Sequence, residues 1–240
     1  FTLMSSTALF SSSIVISDES LASEQIENIV VTSTRNEQQQ QDIAGAITRS
    51  DEDEISLTSH IHINQMGTRF PGTWISRGNG QEHLTSIRSP VFTGSGSCAE
   101  TLVSEDGLPV RPTGMCNVNQ MFEINSEQAS GIEVWRGAGT VVHGSNAMHG
   151  VINVISPLIQ ENYASIGVGS NNYKNIRLGA KAQYKTGLWQ VAANGASDGG
   201  YKEDSGYDQQ KLSVKNFYSL KDIDFLTHIS ITNLNQETAG

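Results

Sequence analysis

The sequence predicts a compact α+β domain with a small mixed sheet, followed by the leading antiparallel strands of a truncated transmembrane β-barrel. Three observations carry this expectation. Between Ile43 and Ser156 short apolar runs alternate with glycine turns, whereas from Asn162 onward the runs lengthen and alternate strictly between apolar and polar residues. No apolar run reaches the roughly 18 residues that a membrane-crossing helix needs.

The first 22 residues form the first element. Thr2 to Ile16 is small or apolar throughout, and Ser20-Leu21-Ala22 has the small-residue spacing of a signal-peptidase site, so cleavage is expected after Ala22. The basic segment that normally precedes such a run is absent, and the segment reads as a signal-peptide remnant. Residues 23–42 are polar and Gln-rich, a flexible arm interrupted by one β-branched island, Ile29-Val30-Val31-Thr32.

Residues 43–157 are the mixed domain. A helix is expected from Leu57 through Met66, stopped before Pro71-Gly72. Strands are expected at Thr73–Ser76, Leu84–Arg88, Thr101–Ser104, Leu108–Arg111, Gly131–Trp135 and Val151–Ile155. Asp106-Gly107 between two apolar stretches is the favoured two-residue hairpin turn, with positive φ at both positions. If Glu105 faces Leu108, Cys98 lies opposite Met115 and one position from Cys116, so a single bulge brings the sulfurs into bonding range. In an exported chain two cysteines read as one disulfide, here worth about 3 kcal/mol in the chain-entropy picture.

Residues 158–240 carry the barrel strands. Ile176, Leu178, Ala180, Ala182 and Tyr184 share one face, and Asn175, Arg177, Lys181, Gln183 and Lys185 the other. Trp189, Val191 and Ala193 oppose Gln190, Ala192 and Asn194; Phe225, Thr227, Ile229 and Ile231 oppose Asp224, His228, Ser230 and Thr232. Tyr163–Gly169 and Lys211–Leu220 are weaker members. A soluble sandwich would have shorter strands without charges recurring on the inward face.

Composition excludes whole classes of function. A net charge of -10, with 15 Lys and Arg scattered along the chain, leaves no basic face for nucleic acid. Gly137-Ala138-Gly139 follows a strand, but the next glycine is Gly144, the wrong spacing for a dinucleotide fingerprint. His60 and His62, two apart on the expected helix, would point to different sides as surface or cap positions; His143 and His149 lack a cysteine or carboxylate at ligand spacing. No metal role and no cofactor is assigned, and no nucleophile and base are placed for an enzyme.

Ile26 to Arg35 resembles the TonB box and its flank, and Ile87-Arg88-Ser89 resembles an Ile-Arg-Gly step. Ile132-Glu133-Val134-Trp135-Arg136-Gly137, followed by Gly144 to Ile155, is similar to the closing segment of the plug domain in TonB-dependent outer-membrane receptors. Ser89 stands where that family has Gly and Ala138 where it has Pro, which affects loop geometry alone. The resemblance covers about residues 26 to 156 and implies an α+β plug ahead of a barrel in the outer membrane, with the box in the periplasm. It implies a TonB-type periplasmic energiser as partner, outer-membrane lipid around the strands, and an extracellular small-molecule or metal-chelate ligand.

The box residues are then Ile29, Val30, Val31 and Thr32, an extended segment able to add to a partner's sheet edge. In the family, plug arginines pair with barrel carboxylates, a lock role that falls on Arg88 and Arg136. Three glycine-rich turns, Ser76–Gly80, Ser89–Cys98 and Arg111–Asn117, are expected to face outward and nominate Arg77, Phe92, Arg111, Met115 and Asn117 for ligand contact. A ferric siderophore is the default cargo, with cobalamin, haem or glycan as alternatives and a gene fragment of such a receptor as another. A signalling receptor would need an extra domain ahead of the box, and a passive porin has no need of a full plug.

Overall fold

The computed structural model describes residues 30–31, 38–39, 42–43, 45–91, 101–112, 120–144, 146–184, 187–221 and 223–237. Two short strands, β1 (Val30–Val31) and β2 (Gln38–Gln39), pair antiparallel. The mixed domain begins at β3 (Ala46–Asp51), continues through α1 (Glu52–Thr58), α2 (Asn64–Gly67), β4 (Thr73–Ile75), β5 (Thr85–Ile87), β6 (Thr101–Glu105) and β7 (Leu108–Pro109), and closes with β8 (Gly131–Arg136), α3 (Thr140–His143) and β9 (Gly150–Ile155). Between β7 and β8 lie two single turns of 3-10 helix, Gln120–Glu123 and Ser126–Gln128.

The expected helix over Leu57–Met66 is two short helices instead. Asp51 caps α1 by accepting from the Glu54 N–H at 2.8 Å, with Glu52, Asp53 and Glu54 at the positive end of the helix dipole. Ser59 then turns left-handed, φ 43, and its N–H donates to the Ile55 carbonyl at 2.9 Å, which ends the helix. The Gln65 side-chain oxygen accepts from the N–H groups of Ile61 and His62, satisfying the backbone in the gap.

The main sheet runs β3-β8-β9-β6-β7, with β6 and β9 parallel and the other neighbours antiparallel, while β4 and β5 pair separately. One face buries Val103, Ile132, Val134, Ile152 and Val154 against Ile55, Met66, Phe70, Met121 and Ile124 from the helices and turns. Fully burying side chains of this size contributes about 1.5–3 kcal/mol each. The opposite face gathers Leu102, Ala147, Val151 and Trp135 beside a polar row in which Ser104 Oγ donates to Asn153 Oδ1 at 2.9 Å. A Cβ at Gly150 would strike the Trp135 carbonyl, so only glycine lets β8 and β9 approach there.

Five further strands, β10 (Tyr163–Val168), β11 (Lys174–Tyr184), β12 (Gly187–Asp198), β13 (Tyr207–Leu220) and β14 (Ile223–Gln236), form one antiparallel sheet in sequence order. Ile176, Leu178, Trp189, Val191, Phe225, Ile229 and Ile231 are exposed on its outer face, whereas Asn175, Gln190, Asn194, Gln209, Lys211, Ser213 and Lys215 are buried on the inner face against the mixed domain. The alternation expected from sequence is therefore the alternation observed, and the strands are the start of a barrel wall around a folded domain.

Candidate functional site

Arg88 follows β5 with φ 48, and its N–H donates to the Gly72 carbonyl at 2.9 Å. Arg136 ends β8 and donates from Nε to the Ala46 carbonyl at 3.2 Å and from Nη1 to the Pro71 carbonyl at 2.7 Å. Burial, then the neighbouring Arg88, pulls the Arg136 guanidinium below its ordinary pKa. Among the described residues no carboxylate lies within ion-pair distance of either arginine. The two proposed lock residues thus stand side by side, anchored to plug carbonyls, with their charge uncompensated by those residues.

The outward turns are described in part. Arg77 places its guanidinium carbon 5.0 Å from the centre of the Tyr201 ring, in the connection between β12 and β13. Arg111 is ion-paired with Glu123. Phe92, Met115 and Asn117, the cysteines Cys98 and Cys116, and the box residues Ile29 and Thr32 lie outside the described residues. Val30 and Val31 pair with Gln39 and Gln38.

Sequence reasoning missed the residues that fasten the mixed domain to the wall. From β13, Gln209 Nε2 donates to the Phe122 carbonyl at 3.2 Å, and Lys211 Nζ donates to the Ile124 carbonyl at 2.8 Å and to both Glu127 oxygens at 2.9 and 2.8 Å. From β14, Thr232 Oγ1 donates to the Glu123 carbonyl at 2.8 Å. In the other direction Gln128 Nε2 donates to the Tyr163 hydroxyl at 2.7 Å and the Leu178 carbonyl at 3.0 Å. Burial works to raise the Glu127 carboxyl, but the Lys211 ammonium beside it outweighs burial and holds it below the ordinary carboxylate range. The available sequence signal was Lys211 and Lys215 recurring on the inward face of one strand.

A second fastening lies at the Asp106-Gly107 turn, where φ is 49 and 78 as the hairpin chemistry requires. Its register pairs Glu105 with Leu108, as counted from the sequence. Asp106 accepts from the Ser156 N–H at 2.9 Å and from the Ser156 hydroxyl, and lies 3.6 Å from Lys215 Nζ and 3.6 Å from His228 Nδ1. Beside it, a cavity of about 930 Å³ opens between the hairpin and β14. Burial, and then Asp106, pushes the Glu105 carboxyl up to about 7.

The helix-gap histidines are core residues, not the surface positions expected. His60 Nε2 lies 3.1 Å from Ser126 Oγ; His62 contacts Asn64 Oδ1 at 2.9 Å through Nδ1 and the Glu82 carbonyl at 3.0 Å through Nε2. Burial lowers His60 and His83 to about 4, and lowers His62 as well. The break at Ser59 turns this stretch inward, which a continuous helix would not have done.

A family model described as the TonB-dependent Receptor Plug Domain matches residues 39–151. Among solved structures, the pyoverdine outer membrane receptor FpvA from Pseudomonas aeruginosa bound to pyoverdine aligns with a TM-score of 0.67 at 15% identity, covering 85% of this chain and 30% of that one. The unliganded ferric citrate transporter FecA aligns at 0.64 with 19% identity, covering 82% and 32%. The ferric yersiniabactin uptake receptor FyuA from Yersinia pestis aligns at 0.59 with 16% identity, covering 79% and 31%. The chain therefore spans about a third of the length of each of these three structures.

Proposed function

Because this chain carries a TonB-dependent receptor plug domain followed by the first strands of a β-barrel, we propose that it is the leading part of an outer-membrane transporter importing a scarce ligand. Ferric siderophore is the cargo of choice, since the similar structures are named for pyoverdine, ferric citrate and yersiniabactin. In this reading residues 1–22 are the export signal, 23–42 the periplasmic arm, 43–157 the plug and 158 onward the wall. Ile29 to Thr32 is the handle for a TonB-type energiser, Arg88 and Arg136 the plug–barrel lock, and Arg77, Phe92, Arg111, Met115 and Asn117 the outward ligand contacts, with Cys98 bonded to Cys116 beneath them.

The observation that carries the reading is that the folded domain occupies the polar inner face of the strands. Lys211 and Gln209 are buried against plug groups instead of lining water. A wall so filled does not conduct passively, and the outer membrane has no nucleotide supply, so force must come through the arm. The test is radioiron uptake by cells expressing the complete receptor, with iron loaded on pyoverdine, citrate or yersiniabactin, and with cobalamin, haem and glycan assayed in parallel. Val30→Pro, which removes a backbone donor from the handle, is expected to abolish uptake while surface binding persists. Uptake that survives this substitution, or proceeds without the energiser, overturns the reading.

A further inference from the structure

We infer that residues 122–128 are a static clamp, fixing the plug to the wall with the Glu127–Lys211 pair at its centre, and that this segment stays seated while cargo passes. The inference rests on the transport reading above. Within seven consecutive residues, the carbonyls of Phe122, Glu123 and Ile124, the carboxylate of Glu127 and the amide of Gln128 are all taken by groups of the wall. Those groups come from β10, β11, β13 and β14, so four strands hold one short segment.

The other contacts between plug and wall among the described residues are dispersed instead of gathered on one segment. Gln236 Oε1 accepts from the Gln81 N–H at 3.0 Å, Tyr207 donates to the Ile61 carbonyl at 3.2 Å, Lys215 Nζ donates to the Ser156 carbonyl at 3.3 Å, Arg77 lies over the Tyr201 ring, and Lys215 and His228 approach Asp106 only to 3.6 Å. Asp106 is 23% exposed at its side chain, whereas Lys211 and Glu127 are 2% and 8% exposed. Separating Lys211 from Glu127 would leave two opposite charges unpaired in a buried site, with the Phe122 to Ile124 carbonyls stripped of donors as well. Water cannot reach the pair until the segment has moved, so nothing compensates the first step of separation. On the plug side, His60 backs the clamp through Ser126 and stays neutral, since its Nδ1 has no hydrogen-bond partner among the described residues to take a second ring proton. The buried centre of the clamp therefore carries one balanced pair of charges, with the more exposed Arg111–Glu123 pair at its rim, and passage depends on movement of plug elements outside it.

The experiment is thiol labelling in cells expressing the complete receptor during radioiron uptake. Ser126→Cys places a reporter within the clamp at a 2% exposed position, and Ala129→Cys, at a 0% exposed position, serves where the first variant imports poorly. A membrane-permeant maleimide is added with and without iron-loaded pyoverdine, citrate or yersiniabactin, and peptide mapping assigns label to position 126 or 129 apart from the native cysteines. The expected result is uptake at the parent's rate with labelling no higher than in de-energised cells. Labelling that rises only when cargo and energiser are both present shows that the segment unseats and overturns the clamp; labelling in resting cells overturns it equally. Failure of the parent receptor to import any cargo is a different outcome, which removes the transport reading instead.

Discussion

Arg88 and Arg136 reach over the same glycine: a Cβ placed on Gly72 would lie 3.4 Å from Arg88 Nε and 3.9 Å from Arg136 Cδ. Two guanidinium groups so close repel unless a carboxylate stands between them, and the described residues supply none. The counter-charge is expected from further barrel strands. In the complete receptor Arg136→Ala should then strand that acid and lower stability by about 1 kcal/mol or more, the loss growing with how far the wall buries the pair. Thermal unfolding checks this, and an unchanged midpoint would mean that the arginine holds nothing.

The Glu127–Lys211 pair predicts a non-additive pattern. Either Glu127→Leu or Lys211→Met alone leaves one buried charge and should cost about 3–5 kcal/mol. Replacing both, Glu127→Leu with Lys211→Met, removes the desolvation penalty together with the attraction and should lie within about 1–2 kcal/mol of the parent. Denaturant unfolding of the four proteins supplies the cycle. Additive losses would show that the two side chains contribute independently.

At Gly107 the backbone has φ 78 and nothing lies within 4 Å of an added Cβ. Gly107→Ala therefore tests the turn conformation without a steric term. The expected loss is about 1–2 kcal/mol, the cost of holding an L-residue left-handed. Gly107→Asn, which tolerates that region, should recover part of it. Equal stability of all three would mean that the hairpin turn relaxes freely.

This turn also shows why part of the fold was legible. Asp-Gly chemistry and strand alternation are local, so Glu105 opposite Leu108 and Trp189 outward of Gln190 followed from counting. Strand β3 did not, because Ala46–Asp51 buries only Ile47 among its apolar residues and is held by its ladder to β8, with Arg49 facing Glu133 across it. The helix over Leu57–Met66 failed because apolar spacing continues through Ser59 while the backbone reverses there. The clamp was beyond reach for a different reason. Glu127 and Lys211 are 84 residues apart, and the inward lysine looks the same in sequence whether it faces water or a plug.

The buried histidines and Glu105 set opposite pH limits on the plug. His60 and His83 have folded pKa values depressed from 6.5 to about 4, so between these pH values the unfolded chain takes up protons that the folded plug refuses. Their neutral burial is undisturbed above about pH 6.5, and stability falls as pH drops toward 4, by roughly 3 kcal/mol for each histidine. Glu105 is raised from 4.5 to about 7, so in that window the unfolded chain loses its proton first and stability falls as pH rises. Its partial exposure reduces that effect to about 1–2 kcal/mol. His60→Gln should therefore flatten the acid limb measured by unfolding between pH 4 and 6.5, because a neutral amide keeps a donor for Ser126 without a proton to gain. Glu105→Gln should raise stability above pH 7 while leaving the value at pH 4 unchanged, since the native carboxyl is already protonated there. An acid limb as steep in His60→Gln as in the parent would place the acid sensitivity elsewhere, first in His83, which is depressed over the same range.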